Sequence, residues 1–274
     1  MLNQQLKNFI QSKSPALLTR PKDMLEFGCL QYHKEYLDEY SKFGLVKYFS
    51  EEEKNNSVAD WPDDFDYYIN DIGFRGHYPN SEDRRILASF GCSIAFGQGL
   101  PEDKIYADII ARRQQYLNLG IPGASCHRIA LTFSAAVNVW DIDSAVVMLP
   151  PFTRFHYCDS SNRLQSILPA YSIDIDELES VRKNLVNNFS DQFLLSQAVD
   201  SIQWIIATAR ARNIKLILSS WDDEMIEIVK LAFNLDIVKF DIIDSARDGH
   251  PGVESHRQFA DKVISNLTSG TYTC

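Results

Sequence analysis

From Arg84 onward, short apolar runs of strand length alternate with segments of helical periodicity, a pattern that restricts the chain to a parallel sheet with crossover helices. The expected strands are the run opened by Arg84-Arg85 and closed by Gly91, then Tyr116 to Leu119, Ser144 to Leu149, Ile214 to Ser219 and Ile237 to Phe240. Helices are expected from Pro101 to about Gln114, Ser125 to Val139, Asp176 to Asn188, Ser190 to Arg212 and Asp223 to Phe233, with a closing helix from Val253 to about Leu267. Glu102-Asp103 and Arg112-Arg113 match the dipole of the first of these. Ile202, Ile205, Ile206 and Ala209 recur at helical spacing in the fourth. Residues 159 to 174 read as an irregular insertion. Five strands with helices between them predict an α/β protein, a flavodoxin-like three-layer α/β/α sandwich around a central five-stranded parallel sheet.

Residues 1–69 read as an N-terminal extension packed on this core, and residues 70–274 as the α/β domain. A weak amphipathic start is broken at Ser14-Pro15 and Arg20-Pro21, and the aromatics that follow, from Tyr32 to Phe49, read as packing. Two glycines flank Phe74-Arg75 and predict a constrained connection into the core. A formal net charge of -10 argues against a nucleic-acid partner. No stretch approaches the ~18 apolar residues a membrane span needs, and the first residues lack the pattern of an export signal. A cytoplasmic protein without a membrane partner is expected, with its oligomeric state left open. Five cysteines, Cys29, Cys92, Cys126, Cys158 and Cys274, are widely spaced with no CxxC pair and no zinc-like cluster, so reduced thiols and no metal or organic cofactor are expected.

In open α/β sheets ligands bind beyond the carboxyl ends of strands. The expected loops there hold Ser93, the glycines Gly120 and Gly123, and Asp248 with His250. Those are the parts of an acyl-transfer site. A serine hydroxyl attacks only when a base takes its proton, and a histidine does so when a third group, usually a carboxylate, holds its tautomer. The backbone N–H groups of Ser93 and a facing glycine suit the oxyanion formed on attack. Cys92 reads as a small buried hydrophobe rather than a nucleophile. His127 and His156 are left unassigned, and His256 is expected to face solvent or packing.

In motif order and architecture the chain resembles the SGNH (GDSL-like) hydrolase family over roughly residues 70 to 268. Its first block, Gly-Asp-Ser in the family, stands here as Gly91-Cys92-Ser93 with Phe96-Gly97 beyond. Asn118-Leu119-Gly120-Ile121-Pro122-Gly123 resembles the second block, with Gly123 at the oxyanion position, and Asp248-Gly249-His250-Pro251 resembles the last. The resemblance implies Ser93 as nucleophile, His250 as base and Ser93 with Gly123 as oxyanion donors.

Three departures stand out. Cys92 replaces the first-block aspartate. Arg247 occupies the place three before His250, which leaves Asp248, Asp244 or a backbone carbonyl to orient the ring. The third-block asparagine is absent from Leu149-Pro150-Pro151-Phe152-Thr153-Arg154, which makes Thr153 or Arg154 the candidate donor there; an arginine also suits an anionic or sugar-bearing substrate. The expectation is a serine esterase acting on an O-acetyl or short acyl ester of a small molecule or carbohydrate. The alternative is an acyltransferase, or a non-catalytic protein of this fold that binds a glycan or a protein partner.

Overall fold

The computed structural model describes residues 74–76, 86–111, 115–158, 164–167, 189–246 and 249–270. The expected N-terminal extension, the helix expected over 176–188, and Asp248 lie outside these residues. The described strands are β1 (Ile86–Gly91), β2 (Gln115–Gly120), β3 (Ile142–Leu149), β4 (Phe155–Cys158), β5 (Leu164–Ile167), β6 (Lys215–Ser220) and β7 (Val238–Lys239). Five of them form one sheet in the order β2-β1-β3-β6-β7. Every neighbouring pair in it is parallel. Counting only its own strands the order is 2-1-3-4-5, the flavodoxin-like arrangement.

Side chains alternate across each strand, so an apolar run can feed two cores at once. Ile86, Ala88 and Phe90 of β1 join Ala145, Val147 and Leu149 of β3 on one face. Leu87, Val146 and Met148 supply the other. On the first face pack α3 (Cys126–Val139), α4 (Asp191–Ala211) and α5 (Asp223–Phe233) through Phe133, Ile202 and Val229. On the second pack α2 (Tyr106–Ala111) and α6 (Val253–Ser269) through Tyr106, Ile110, Phe259 and Val263. The three-layer arrangement is therefore the one the alternation of apolar runs predicts. Among the described residues no helix is long and apolar enough to cross a membrane.

Two local expectations fail. The helix expected from Pro101 is interrupted: a 3₁₀ turn at Glu102–Lys104 is followed by Ile105 in extended conformation, φ -80° and ψ 149°, before α2 begins. Burial explains the break, because Ile105 is fully enclosed and its side chain fills the space that a Cβ on Gly97 would occupy. The segment read as irregular contains β5, which pairs antiparallel with β4. Between the two strands lies Asp159-Ser160-Ser161-Asn162, residue types that favour turns.

The face that carries α2 and α6 holds a buried polar cluster. Tyr106 and Ser89 share a hydroxyl hydrogen bond of 2.7 Å, and the Tyr106 N–H donates to His256 Nδ1 at 3.1 Å. His256 stacks on the Tyr106 ring with centroids 5.6 Å apart and meets Phe240 edge-on. Packing is thus the role of His256, on the first turn of α6. Burial, then the positive charge of Arg75, lowers its pKa to about 3.

The folded protein therefore keeps this ring neutral while the unfolded chain protonates it near the ordinary value of ~6.5. Stability is fully retained above that value and falls as pH drops from there toward the folded pKa. Moving from pH 7.5 to 5 is expected to cost about 2 kcal/mol through this ring alone. Urea unfolding at the two pH values measures the loss, and His256→Asn, which keeps an acceptor for the Tyr106 N–H without titrating, is expected to remove that share. An unchanged pH dependence in the variant contradicts the assignment.

Candidate functional site

The carboxyl end of β1 is built for a sharp turn. Gly91 has φ 155°, and a Cβ there would lie 2.7 Å from Ala95 Cβ and 2.8 Å from Met148 Cβ, closer than real side chains approach. Only glycine lets the chain pass between them. The next turn of chain is α1, Ser93–Phe96, which ends on Gly97 in the left-handed conformation. Ser93 opens that helix half-buried, with its Oγ 3.8 Å from Cys92 Sγ. Its backbone N–H meets no acceptor among the described residues, as expected for the first residue of a helix.

Two side chains clamp α1 from outside. The Arg75 guanidinium, fully buried, donates to the carbonyls of Phe96 at 3.0 Å, Gly97 at 2.6 Å and Leu100 at 2.7 Å. Asn118 Nδ2 donates to the same Phe96 carbonyl at 3.2 Å, while its Oδ1 accepts from the Gly120 N–H at 3.0 Å. Gly120 lies so close that a Cβ on it would fall 2.2 Å from the Phe96 nitrogen. The carboxyl ends of β1 and β2 are thereby locked together. Ile121 N–H donates to the Gly91 carbonyl at 2.9 Å, which seats the turn containing Gly123 beside β1. The Gly123 N–H also meets no acceptor among the described residues.

The third contribution comes from the loop after β7. Asp244 in that loop caps α6: its carboxylate accepts from the N–H groups of Glu254 at 2.9 Å and Ser255 at 2.8 Å, and from Ser255 Oγ at 2.6 Å. Burial raises the pKa of this carboxyl, but those hydrogen bonds outweigh it and hold the group below its ordinary value. With its oxygens committed to the helix, Asp244 is a structural cap and not the partner of His250. The same loop is closed by the Ala246 N–H donating to the His250 carbonyl at 2.6 Å. Among the described residues no hydrogen bond joins Ser93 to His250.

Beyond β3 the chain turns at Pro151 to Arg154, the Arg154 N–H donating to the Pro151 carbonyl at 3.2 Å. Thr153 is half-buried in that turn. The Arg154 guanidinium carbon stands 5.5 Å from the centroid of the Trp221 ring. Arg154 also lines a cavity of about 190 Å³ that runs between the start of α3, β4 and the first turns of α4. Ser93, Gly123 and His250 do not line it.

Reasoning from residue patterns missed the pair at the back of this cavity. Ser125 caps α3, its Oγ accepting from the Arg128 N–H at 3.3 Å, and the same oxygen lies 2.8 Å from His156 Nδ1. The available signal was a capping-type serine ahead of an apolar helix, but its partner is thirty-one residues away. A serine beside a histidine invites a nucleophilic reading. Burial, and after it the positive charge of Arg128, lowers the His156 pKa to about 3, which makes the ring a poor proton acceptor. The pair therefore serves as a helix cap and a cavity wall. Cys92 and Cys126 are buried free thiols. Burial pushes Cys126 up to about 12, which keeps it protonated and inert. Among the described residues no cluster of His, Cys, Asp and Glu is arranged to hold a metal ion.

The strand order defines a doubly wound α/β protein; of the candidate residues, Ser93 follows β1 and Thr153 and Arg154 follow β3, the two strands at which the order reverses, while Gly123 follows β2 and His250 follows β7. No family model matches the chain, and no curated protein matches it. It is similar to solved structures of GDSL-type hydrolases and esterases. One is a psychrotrophic esterase from Pseudoalteromonas sp., at 10% identity and a TM-score of 0.43, covering 69% of this chain and 98% of that one. A GDSL-like lipase from Bacteroides thetaiotaomicron VPI-5482 overlaps at 15% identity and a TM-score of 0.42, covering 70% and 91%. A carbohydrate esterase whose active site displays divergent catalytic and non-catalytic binding functions overlaps at 12% and 0.48, covering 74% and 69%. The topology of the present chain rests on its own strand order and register.

Proposed function

We propose that the chain is a serine ester hydrolase of the SGNH (GDSL-like) type, cleaving an O-acetyl or short acyl ester, possible substrates including acylated carbohydrates. The observation that carries this reading is the placement of Ser93. It opens a helix directly beyond the carboxyl end of a central strand, on a turn only glycine permits, with its own N–H and that of Gly123 uncommitted among the described residues.

In this mechanism His250 takes the proton from Ser93 Oγ as the hydroxyl attacks the ester carbonyl. The N–H groups of Ser93 and Gly123 receive the developing oxyanion, and His250 returns the proton to the departing alcohol. Water, activated by the same histidine, then releases the acid from the acyl-enzyme. Asp248 is the candidate to hold the His250 tautomer, and Thr153 or Arg154 the candidate to contact the substrate or the oxyanion in place of the third-block asparagine. A hydroxyl and its base stand apart in many substrate-free sites and close together when substrate binds.

A second reading, an acyltransferase or a binding protein on the same fold, is favoured by the missing asparagine and by the lack of a Ser93–His250 hydrogen bond among the described residues. A fluorophosphonate probe separates hydrolase machinery from a binding site. One adduct at Ser93, absent in Ser93→Ala, is the expected result by intact mass and peptide mapping. Folded protein that takes up no probe overturns the hydrolase reading in favour of the binding one. Labelled protein that releases acyl groups to an added sugar faster than to water moves the assignment to acyl transfer.

A further inference from the structure

We propose that the cavity between the start of α3, β4 and the first turns of α4 binds a small aromatic carboxylate, ring inward and carboxylate at Arg154. This inference is separable from turnover at Ser93: Ser93, Gly123 and His250 do not line the cavity, and Arg154, which does, is only the alternative to Thr153 as a contact in that reaction. Size sets the first limit. A cavity of about 150 Å³ lined by apolar side chains is enough to hold benzene, and this one measures about 190 Å³. One ring with a small substituent fits; a sugar chain does not.

The walls select for a ring. Phe189 stacks on Phe193 with centroids 4.9 Å apart and planes at 16°, and Phe155 meets Phe189 edge-on at 5.5 Å. This aromatic wall offers both faces and edges to a guest ring. Phe193 is left 44% exposed, a large apolar side chain at the rim with surface still to cover.

Charge selects for an anion. The Arg154 guanidinium makes no hydrogen bond or ion pair with a described residue; its described contact is the face of Trp221. In a chain of net charge -10 an arginine that no described carboxylate pairs, beside an apolar cavity, is a positive site in an otherwise unfavourable field for anions. Its planar fork matches a carboxylate. Burial and neighbouring positive charge keep His156 neutral, so the back wall presents dipoles rather than a second cation.

Benzoate is the probe, with benzyl alcohol as its uncharged counterpart, titrated by calorimetry or ligand-observed NMR into the full chain carrying Ser93→Ala, so that no chemistry intervenes. Benzoate is expected to bind at least about tenfold more tightly than benzyl alcohol, the factor a charge-assisted hydrogen bond supplies. Arg154→Met is expected to erase that preference while leaving benzyl alcohol binding in place, and Arg154→Lys to restore part of it. Gln197→Trp, a change at an exposed lining position, is expected to weaken both by filling the cavity. Equal affinity for the two probes, no binding of benzoate, or a preference that survives Arg154→Met overturns the proposal. Because the experiment is run without the Ser93 hydroxyl, its failure leaves the hydrolase reading untouched, and failed labelling at Ser93 leaves this one untouched.

Discussion

Ser93→Ala and His250→Ala are each expected to lower ester turnover by at least about 10⁴-fold, with the fold intact. Nucleophile and base act as one unit, so removing either leaves only what binding and the oxyanion donors contribute. Among the described residues the Ser93 hydroxyl makes one weak contact, 3.8 Å from Cys92 Sγ, so its loss costs the structure little. The double variant is expected to be no slower than either single one, the mark of residues that share a step. Steady-state kinetics on p-nitrophenyl acetate, with matching thermal melts, makes the comparison. A loss of less than about tenfold in Ser93→Ala would show that the hydroxyl is not the nucleophile.

Arg75→Met is expected to cost about 3–5 kcal/mol of folding stability. Three carbonyls around the end of α1 accept from this one guanidinium inside the protein. Phe96 keeps its bond from Asn118 in the variant, and the Gly97 carbonyl keeps one from the Leu100 N–H at 3.2 Å. Leu100 has no such replacement among the described bonds. Arg75→Lys is expected to recover only part of the loss, because an ammonium is a point donor and cannot span the fork's three acceptors. Urea unfolding at pH 7.5 gives the number. A cost below about 1 kcal/mol would mean that water takes over the carbonyls. Because α1 begins at the candidate nucleophile, the same variant is expected to lose activity before it unfolds.

The sheet was legible in the sequence because a strand buried on both faces is largely apolar, and β1 and β3 carry that signature in Ile86 to Phe90, broken only by Ser89, and in Ala145 to Leu149. Helix boundaries were legible where caps are written in side chains, as at Ser125, Ser190 and Asp222. They failed at Ile105, where tertiary burial against Gly97 overrides a continuous helical pattern. The short pair β4–β5 escaped because four-residue strands carry too few positions to show a period.

For the site, the loops at strand ends and the resemblance to the SGNH family together pointed to Ser93, Gly123 and His250; in the structure Ser93 opens α1 after β1, and Gly123 and His250 lie on the loops after β2 and β7. Two roles were beyond reach of pattern. Asp244 looked free to orient a histidine until its carboxylate was seen to cap α6, and His156 looked incidental until it met Ser125. Arg75 was read as part of a tight connection, yet nothing in Phe74-Arg75-Gly76 tells that its head group is spent on carbonyls more than twenty residues away.

The brevity of β7 bears on how the molecule behaves in company. A sheet margin with a long row of open N–H and C=O groups is a template on which another chain can add itself. Here that margin is two residues long, and the Lys239 carbonyl already accepts from Lys262 Nζ at 3.1 Å. Lys239 itself is tied by its ammonium to Asp223 at 2.6 Å, so a charged side chain guards the strand. Among the described residues, crowded copies of the protein meet little foothold for strand addition along this side, so the loop that follows β7 can stand at the surface without inviting fibrils.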